Sequence, residues 1–248
     1  MTELVHLDVA DQVATITLDS EHNRNALSRQ LVSELGERLA AVEADDSVRV
    51  VVVRSAHRVF CSGADLTEAA EGSMEQGARD LVELQRSIVA SAKPVVVVLA
   101  GPVRAGGLGL VGAADLVICA ESVTFALSEV RLALAPAVIS LTLLERLDSR
   151  AAADVFLTGR QFGAVEAAGI GLVTKAVPDA ELDTALADLV DELSHGYPQG
   201  FAETKAILNR DLLDKFDRLG EELASQSARL FGSDQAREAM KAFLSKKR

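Results

Sequence analysis

The stretch Lys93-Pro94-Val95-Val96-Val97-Val98-Leu99-Ala100-Gly101-Pro102-Val103-Arg104-Ala105-Gly106-Gly107-Leu108-Gly109-Leu110 decides the reading of the whole chain. Its unbroken apolar run predicts a strand covered on both faces, Val95 to Leu99. That strand delivers the chain to a glycine-rich turn opening a helix. Glycines there let a ligand approach the backbone, and free N–H groups at a helix start stabilise negative charge. Gly107-Leu108-Gly109-Leu110-Val111-Gly112 also spells the dinucleotide pattern G-x-G-x-x-G. We reject that reading, because the pattern should follow its strand directly and here residues 101–106 intervene. The plainer alternative, glycines that only permit close helix packing, stays open.

Working outward, Val48 to Val53 is a second β-branched run and Leu116 to Cys119 a third. Between the first two lies Gln76 to Ala90, with Leu81, Leu84 and Ile88 at helical spacing. Upstream, Leu4 to Val9 and Val13 to Leu18 alternate apolar and polar residues across Asp11-Gln12, which predicts a hairpin. A helix follows, with Ser28 as N-cap and Leu31, Leu35, Leu39 and Val42 on one face, until Asp45-Asp46. Repeated strand, loop, helix and strand is the α/β signature. From Leu141 onward the pattern turns helical: Leu141 to Leu147, Ala151 to Leu157, Ala164 to Ala168, Glu181 to Leu193, Phe201 to Leu213 and Phe216 to Leu230. Only Leu172 to Val177 reads as strand. We expect an α/β core over residues 1–195 and a helical region over 196–248, folding as one unit.

The 248 residues are 49% apolar, enough for a sizeable core, and 25 Lys plus Arg against 37 Asp plus Glu leave a formal charge of −12. Such a charge repels phosphate backbones and anionic lipid, so neither nucleic acid nor a membrane is expected as a partner. No apolar stretch in the first half approaches the roughly 20 residues of a membrane span, and Met1-Thr-Glu-Leu opens without a basic leader. Cys61 and Cys119 are too few for a disulfide framework and lack metal-ligand spacing, so no metal is expected and a cytoplasmic setting fits. Of the four histidines, His6 and His195 fall in a strand and at a helix end, and His22 and His57 in polar loops. None forms a nucleophile elbow with Ser or Cys.

A second small-residue loop, Phe60-Cys61-Ser62-Gly63-Ala64-Asp65-Leu66, follows the strand Val48 to Val53. Alone, it reads as a capping turn with Asp65 in the first turn of a helix. Together, the two loops resemble the oxyanion-hole halves of the crotonase, or enoyl-CoA hydratase/isomerase, superfamily. The resemblance spans the chain: Asn25-Ala26-Leu27, Ala114-Asp115-Leu116, Phe125 to Pro136 around Glu129, Leu157-Thr158-Gly159-Arg160, Ala167 to Val173, and Glu238 to Arg248 with Phe243 and Lys246 all match family motifs in order.

The resemblance implies a crotonase-like fold of repeated ββα turns, two sheets, a C-terminal helical trimerisation region, and homotrimers or hexamers. It implies an acyl-CoA thioester as substrate, with no cofactor beyond the CoA it carries. Ala64 and Gly106 would offer backbone N–H groups to the thioester oxygen, and Glu129 would handle the proton. Arg24, Ala26, Ser62, Asp65, Leu66, Phe243 and Lys246 would contact acyl-CoA, the last two commonly across a subunit boundary. One position departs from the family. Where hydratases usually carry a second glutamate this chain has Gly109, and glycine cannot hold or deprotonate a water. The run Ser128-Glu129-Val130-Arg131 with Pro136 to Ser140 resembles a bacterial subgroup that also lacks that glutamate, including some assigned to branched glutaconyl-type acyl-CoAs. The leading expectation is hydration of a 2-enoyl-CoA by a hydro-lyase. The alternatives are a Δ3,Δ2-enoyl-CoA isomerase using one glutamate and a non-catalytic acyl-CoA binding protein.

Overall fold

A computed structural model describes residues 2–71 and 74–245. β1 (Val5–Ala10) and β2 (Val13–Leu18) form the expected antiparallel hairpin, and both turn residues, Asp11 and Gln12, take positive φ as a two-residue hairpin loop requires. α1 (Arg29–Glu43) starts where the Ser28 side chain accepts a hydrogen bond from the Leu31 N–H at 3.2 Å. β3 (Val50–Ser55) lies parallel to β2. The short α2 (Leu66–Glu71) and then α3 (Glu75–Ala90) lead to β4 (Val95–Leu99), parallel to β3. Every β4 residue is at most 2% exposed, which is why its sequence has no polar alternation.

β5 (Val103–Arg104) and α4 (Gly107–Ala113) come next, followed by β6 (Leu116–Ala120), parallel to β4, and β7 (Thr124–Ala126). The remainder runs α5 (Ser140–Arg146), α6 (Ser149–Thr158), β8 (Gln161–Gly163), α7 (Ala164–Gly169), β9 (Lys175–Val177), α8 (Leu182–Ser194), α9 (Pro198–Phe231) and α10 (Asp234–Ser245). The main sheet has the order β1-β2-β3-β4-β6-β9, and β5-β7-β8 make a second, three-stranded sheet. Among the described residues no helix is long and apolar enough to cross a membrane.

Two expectations are corrected. The strand expected over Leu172 to Val177 is confined to β9, because Gly171 turns with φ +85° and the N–H groups of Leu172 and Val173 both donate to the Ala167 carbonyl, capping α7. The two helices expected over Phe201 to Leu213 and Phe216 to Leu230 are one 34-residue helix, α9, since Asp214-Lys215 contains no breaker. Gly220 within it faces α3, where a Cβ would lie 3.0 Å from Val82 Cγ1.

α9 is docked by a buried ion. Lys205 Nζ donates to Asp115 Oδ2 at 2.5 Å and to the Lys93 carbonyl at 2.9 Å, while Asp115 Oδ2 also accepts from the Val95 N–H at 2.8 Å. The aspartate of the Ala114-Asp115-Leu116 motif thus joins the start of β4 to α9.

Candidate active site

One cleft of about 710 Å³, within the range that holds a cofactor-sized ligand, opens where the loops after β2, β3 and β4 meet the segment after β7. Asn25 shapes its first wall. This residue is fully buried: its Oδ1 accepts from the Ser20 N–H at 2.7 Å, and its Nδ2 donates to Ser55 Oγ and the Phe60 carbonyl at 2.8 and 3.1 Å. The tight turn puts Arg24 and Asn25 in the left-handed region, φ +59° and +53°. From this turn the Leu27 N–H donates to the Gly63 carbonyl at 2.8 Å, and the Arg24 carbonyl accepts from the Ser62 N–H at 3.1 Å, tying the wall to the Ser62–Leu66 loop.

The two glycine loops then meet. Gly63 has φ +97°, and a Cβ built there would lie 3.7 Å from Gly106 N. A Cβ at Gly106 would in turn lie 3.8 Å from Ala64 N and 3.1 Å from Leu27 Cδ1. Among the described residues neither the Ala64 nor the Gly106 N–H donates to a protein acceptor. Two unclaimed donors side by side on a cleft wall are equipped to receive one oxygen that gains negative charge.

Glu129 completes the site. β7 carries the chain along the second sheet, where Phe125 stacks on Phe162 with ring centroids 5.6 Å apart, and then into a 3-10 turn over residues 129–132 that opens with Glu129. That turn closes with Ala133 at φ +55° and is backed by Leu134, which packs on Ala236 and Met240 of α10. Glu129 is 8% exposed and lines the cleft, and no group among the described residues hydrogen-bonds its Oε2. Burial pushes its carboxyl from 4.5 up to about 7, with its own backbone N–H pulling weakly the other way. A carboxylate buried without a partner is costly to folding, and such groups cluster where proton transfer is done.

The place of the missing second carboxylate is filled. A Cβ at Gly109 would fall 2.7 Å from Ile139 Cγ2 and 2.9 Å from Gln85 Oε1. Gln85 is itself fixed, donating to the Leu81 carbonyl at 3.1 Å and accepting from Thr142 Oγ1 at 3.1 Å.

A sequence profile of the enoyl-CoA hydratase/isomerase family matches residues 8–248. The chain belongs to this enoyl-CoA hydratase/isomerase family. A crystal structure of an enoyl-CoA hydratase from Mycobacterium avium is 47% identical and superposes with a TM-score of 0.91 over 99% of this chain and 98% of that one. Carnitinyl-CoA dehydratase of Escherichia coli K12 is 32% identical, covering 84% of this chain and 80% of its own length. The peroxisomal Δ(3,5)-Δ(2,4)-dienoyl-CoA isomerase of Arabidopsis thaliana is 28% identical over 99% of this chain and 95% of its own length.

In this family member the cleft gathers Arg24, Ala26, Ser62, Ala64, Asp65, Leu66, Gly106, Glu129 and Phe243, all expected from sequence. Two of these have their side chains committed elsewhere. Asp65 Oδ1 caps the Thr67 N–H at 2.9 Å and its Oδ2 accepts from Asn23 Nδ2 at 3.0 Å, while Ser62 Oγ donates to the Asn23 carbonyl at 3.0 Å. The capping reading of that loop therefore holds together with its place on the cleft. Phe243, expected to reach CoA commonly across a subunit boundary, lines the cleft of its own chain. Lys246 lies outside the described residues. Gly109 is buried behind Ile139 and does not line the cleft. The apolar wall of Leu27, Leu81, Leu134, Val138 and Ile139 was missed, because its members come from separate elements and each reads as ordinary core. Among the described residues no cluster of His, Cys, Asp and Glu is arranged to hold a metal.

Proposed function

We propose that this enoyl-CoA hydratase-like enzyme adds water across the double bond of a 2-enoyl-CoA thioester, using one carboxylate. The observation that carries the reading is the buried, unpartnered Oε2 of Glu129 in the same cleft as the free N–H groups of Ala64 and Gly106. The two N–H groups receive the thioester oxygen. Ionised Glu129 takes a proton from water as the water oxygen bonds to C3, electrons move onto the thioester oxygen as an enolate, and the same carboxyl returns the proton to C2. Oxygen and hydrogen thus enter on one face. A carboxyl titrating near 7 can both take and give a proton at neutral pH. Removing one donor from a comparable oxyanion hole costs about 2.7 to 4 kcal/mol.

Arg24, Ala26 and Leu66 are proposed to border the CoA and acyl moieties, with Ser62 and Asp65 shaping that wall and Phe243 closing it. Exposed apolar side chains on α6 and α9, among them Leu157, Ile207 and Leu208, support assembly into a homotrimer or hexamer. Residues 196–248 are proposed as a C-terminal helical region that folds as one unit with the core of residues 1–195, α9 being tied to that core through Lys205.

The filling of the Gly109 site by Ile139 and Gln85 favours one second reading, a Δ3,Δ2-enoyl-CoA isomerase in which Glu129 alone moves a proton between C2 and C4. A panel of 2-enoyl- and 3-enoyl-CoA thioesters, followed by loss of the enoyl absorbance and by product analysis, separates the two. Formation of 3-hydroxyacyl-CoA supports hydration, double-bond migration alone supports isomerisation, and binding without turnover overturns both.

A further inference from the structure

Ala105, immediately before the oxyanion glycine, has φ +46°, a left-handed conformation that an alanine avoids. Such strain persists only where the surroundings hold it. On one side the Arg104 N–H donates to the Cys61 carbonyl at 3.0 Å, and the Ala105 N–H donates to the Ala126 carbonyl at 2.9 Å. The remaining grip is the Arg104 side chain. Its guanidinium spans the second sheet: Nη1 donates to the Val103 and Thr124 carbonyls at 2.9 and 2.5 Å, and Nη2 to Thr124 Oγ1 at 2.8 Å and Gln161 Oε1 at 3.2 Å. Among the described residues no carboxylate pairs with it, although it is half-buried on the cleft wall. Burial works against its charge, pulling its pKa down. A cation held in this way without a counter-ion does nothing for solubility and little for net stability, yet every donor it uses rigidifies β5, the strand that ends immediately before Ala105.

We propose that Arg104 is a positioning residue, whose guanidinium clamp across β7 and β8 holds Ala105 left-handed and so aims the Gly106 N–H into the cleft. A fork is needed for this. Lysine has one nitrogen and cannot reach the Thr124 carbonyl, Thr124 Oγ1 and Gln161 together. The inference rests on the oxyanion role proposed for Gly106.

The test combines Arg104→Met, Arg104→Lys and the double variant Arg104→Met/Ala105→Gly, because glycine adopts positive φ without being held there. The probe is acetoacetyl-CoA, whose enolate absorbs in the near ultraviolet where its keto form does not. It is read alongside dissociation constants and kcat on whichever enoyl-CoA the wild type turns over. Wild type is expected to raise the enolate band on binding. Arg104→Met is expected to bind within about 3-fold of wild type while kcat falls by at least 10-fold and most of the band is lost. Arg104→Lys should fall between them with a melting temperature near wild type, so the comparison survives if the methionine variant does not fold. Adding Ala105→Gly to Arg104→Met should recover a large part of kcat and of the band, which a purely structural role for Arg104 would not produce. A band and kcat unchanged in both single variants, or a double variant no better than Arg104→Met, overturns the inference and leaves the oxyanion hole standing. A wild-type protein that binds the probe and raises no enolate band overturns the oxyanion reading itself, and Arg104's role with it.

Discussion

Replacing Glu129 with Gln should remove turnover and at the same time stabilise the protein, increasingly so as the pH rises. Glutamine keeps the shape and most of the hydrogen-bonding capacity but cannot ionise. In the folded chain the Glu129 carboxyl titrates near 7 because it is buried without a partner, whereas in the unfolded chain it returns to about 4.5. The folded state therefore holds this proton more tightly than the unfolded state. The resulting penalty on folding is nearly absent below pH 4, grows between 4.5 and 7, and is complete above 7. The difference between about 7 and 4.5, at 1.36 kcal/mol per pH unit, is about 3 kcal/mol. Relative to wild type, Glu129→Gln should then gain under about 1 kcal/mol at pH 5 and about 3 kcal/mol at pH 8.5. The latter corresponds to roughly 6 to 12 °C in melting temperature for a chain of this size. Urea or thermal unfolding of both proteins at the two pH values and one protomer concentration measures this directly. Turnover should drop by roughly 10²-fold or more, while acyl-CoA affinity barely changes. In wild type, kcat/KM should rise with pH and level off above about 7, as ionised Glu129 becomes the resting form. A stability gap that is equal at both pH values, or a variant less stable at pH 8.5, would show that Oε2 is paired or solvated after all and refute the reasoning.

Other substitutions probe the remaining parts of the site. Gly106→Val should abolish activity with a stability loss of about 1 to 3 kcal/mol, since its first clash is with the movable end of Leu27; an active, folded variant would place the oxyanion site elsewhere. From sequence alone, Gly109→Glu is expected to restore a second carboxylate and raise hydration relative to isomerisation, provided the glycine helix accepts the side chain. The packing around Gly109 does not meet that condition, because the new side chain would strike Ile139 and Gln85, so the variant should be insoluble or destabilised by more than about 3 kcal/mol in a denaturant titration. Truncation before Glu238 removes Met240 and Phe243, so it should weaken CoA binding and also loosen the turn that carries Glu129; calorimetric binding equal to the full chain would contradict this. The ion pair with Asp19 raises the pKa of His6, so its stabilisation is present below about pH 6.5 and lost as pH climbs through the raised value. His6→Ala should flatten the stability profile in that window, and an unchanged slope would assign it to other groups.

Much of the fold was legible because its signals are local. Ser28 caps its helix by a bond three residues away, the Val95 to Leu99 run reads as buried strand from composition, and Asp11-Gln12 turns its own hairpin. The candidate site residues Glu129, Gly106 and Ala64 were legible for another reason: the family's motifs keep them at set spacing, whatever the intervening loops do. The pairs that make the cleft work are long-range, and no window of sequence contains them. Asn25 reaches Ser55 and Phe60, Gly63 meets Gly106, and Leu134 rests on Met240.

The chain alone therefore determined the α/β class, the family and the candidate carboxylate Glu129, since periodicity, glycine turns and motif order are all written in adjacent residues. Only the tertiary structure decided that Glu129 is buried with no hydrogen-bond partner for its Oε2 among the described residues, and that Phe243 lines the cleft of its own chain. It also decided that the place of the missing glutamate is packed with Ile139 and Gln85 and not left open. Desolvation and steric exclusion depend on what the rest of the chain brings within a few ångströms of an atom, and that is set by packing.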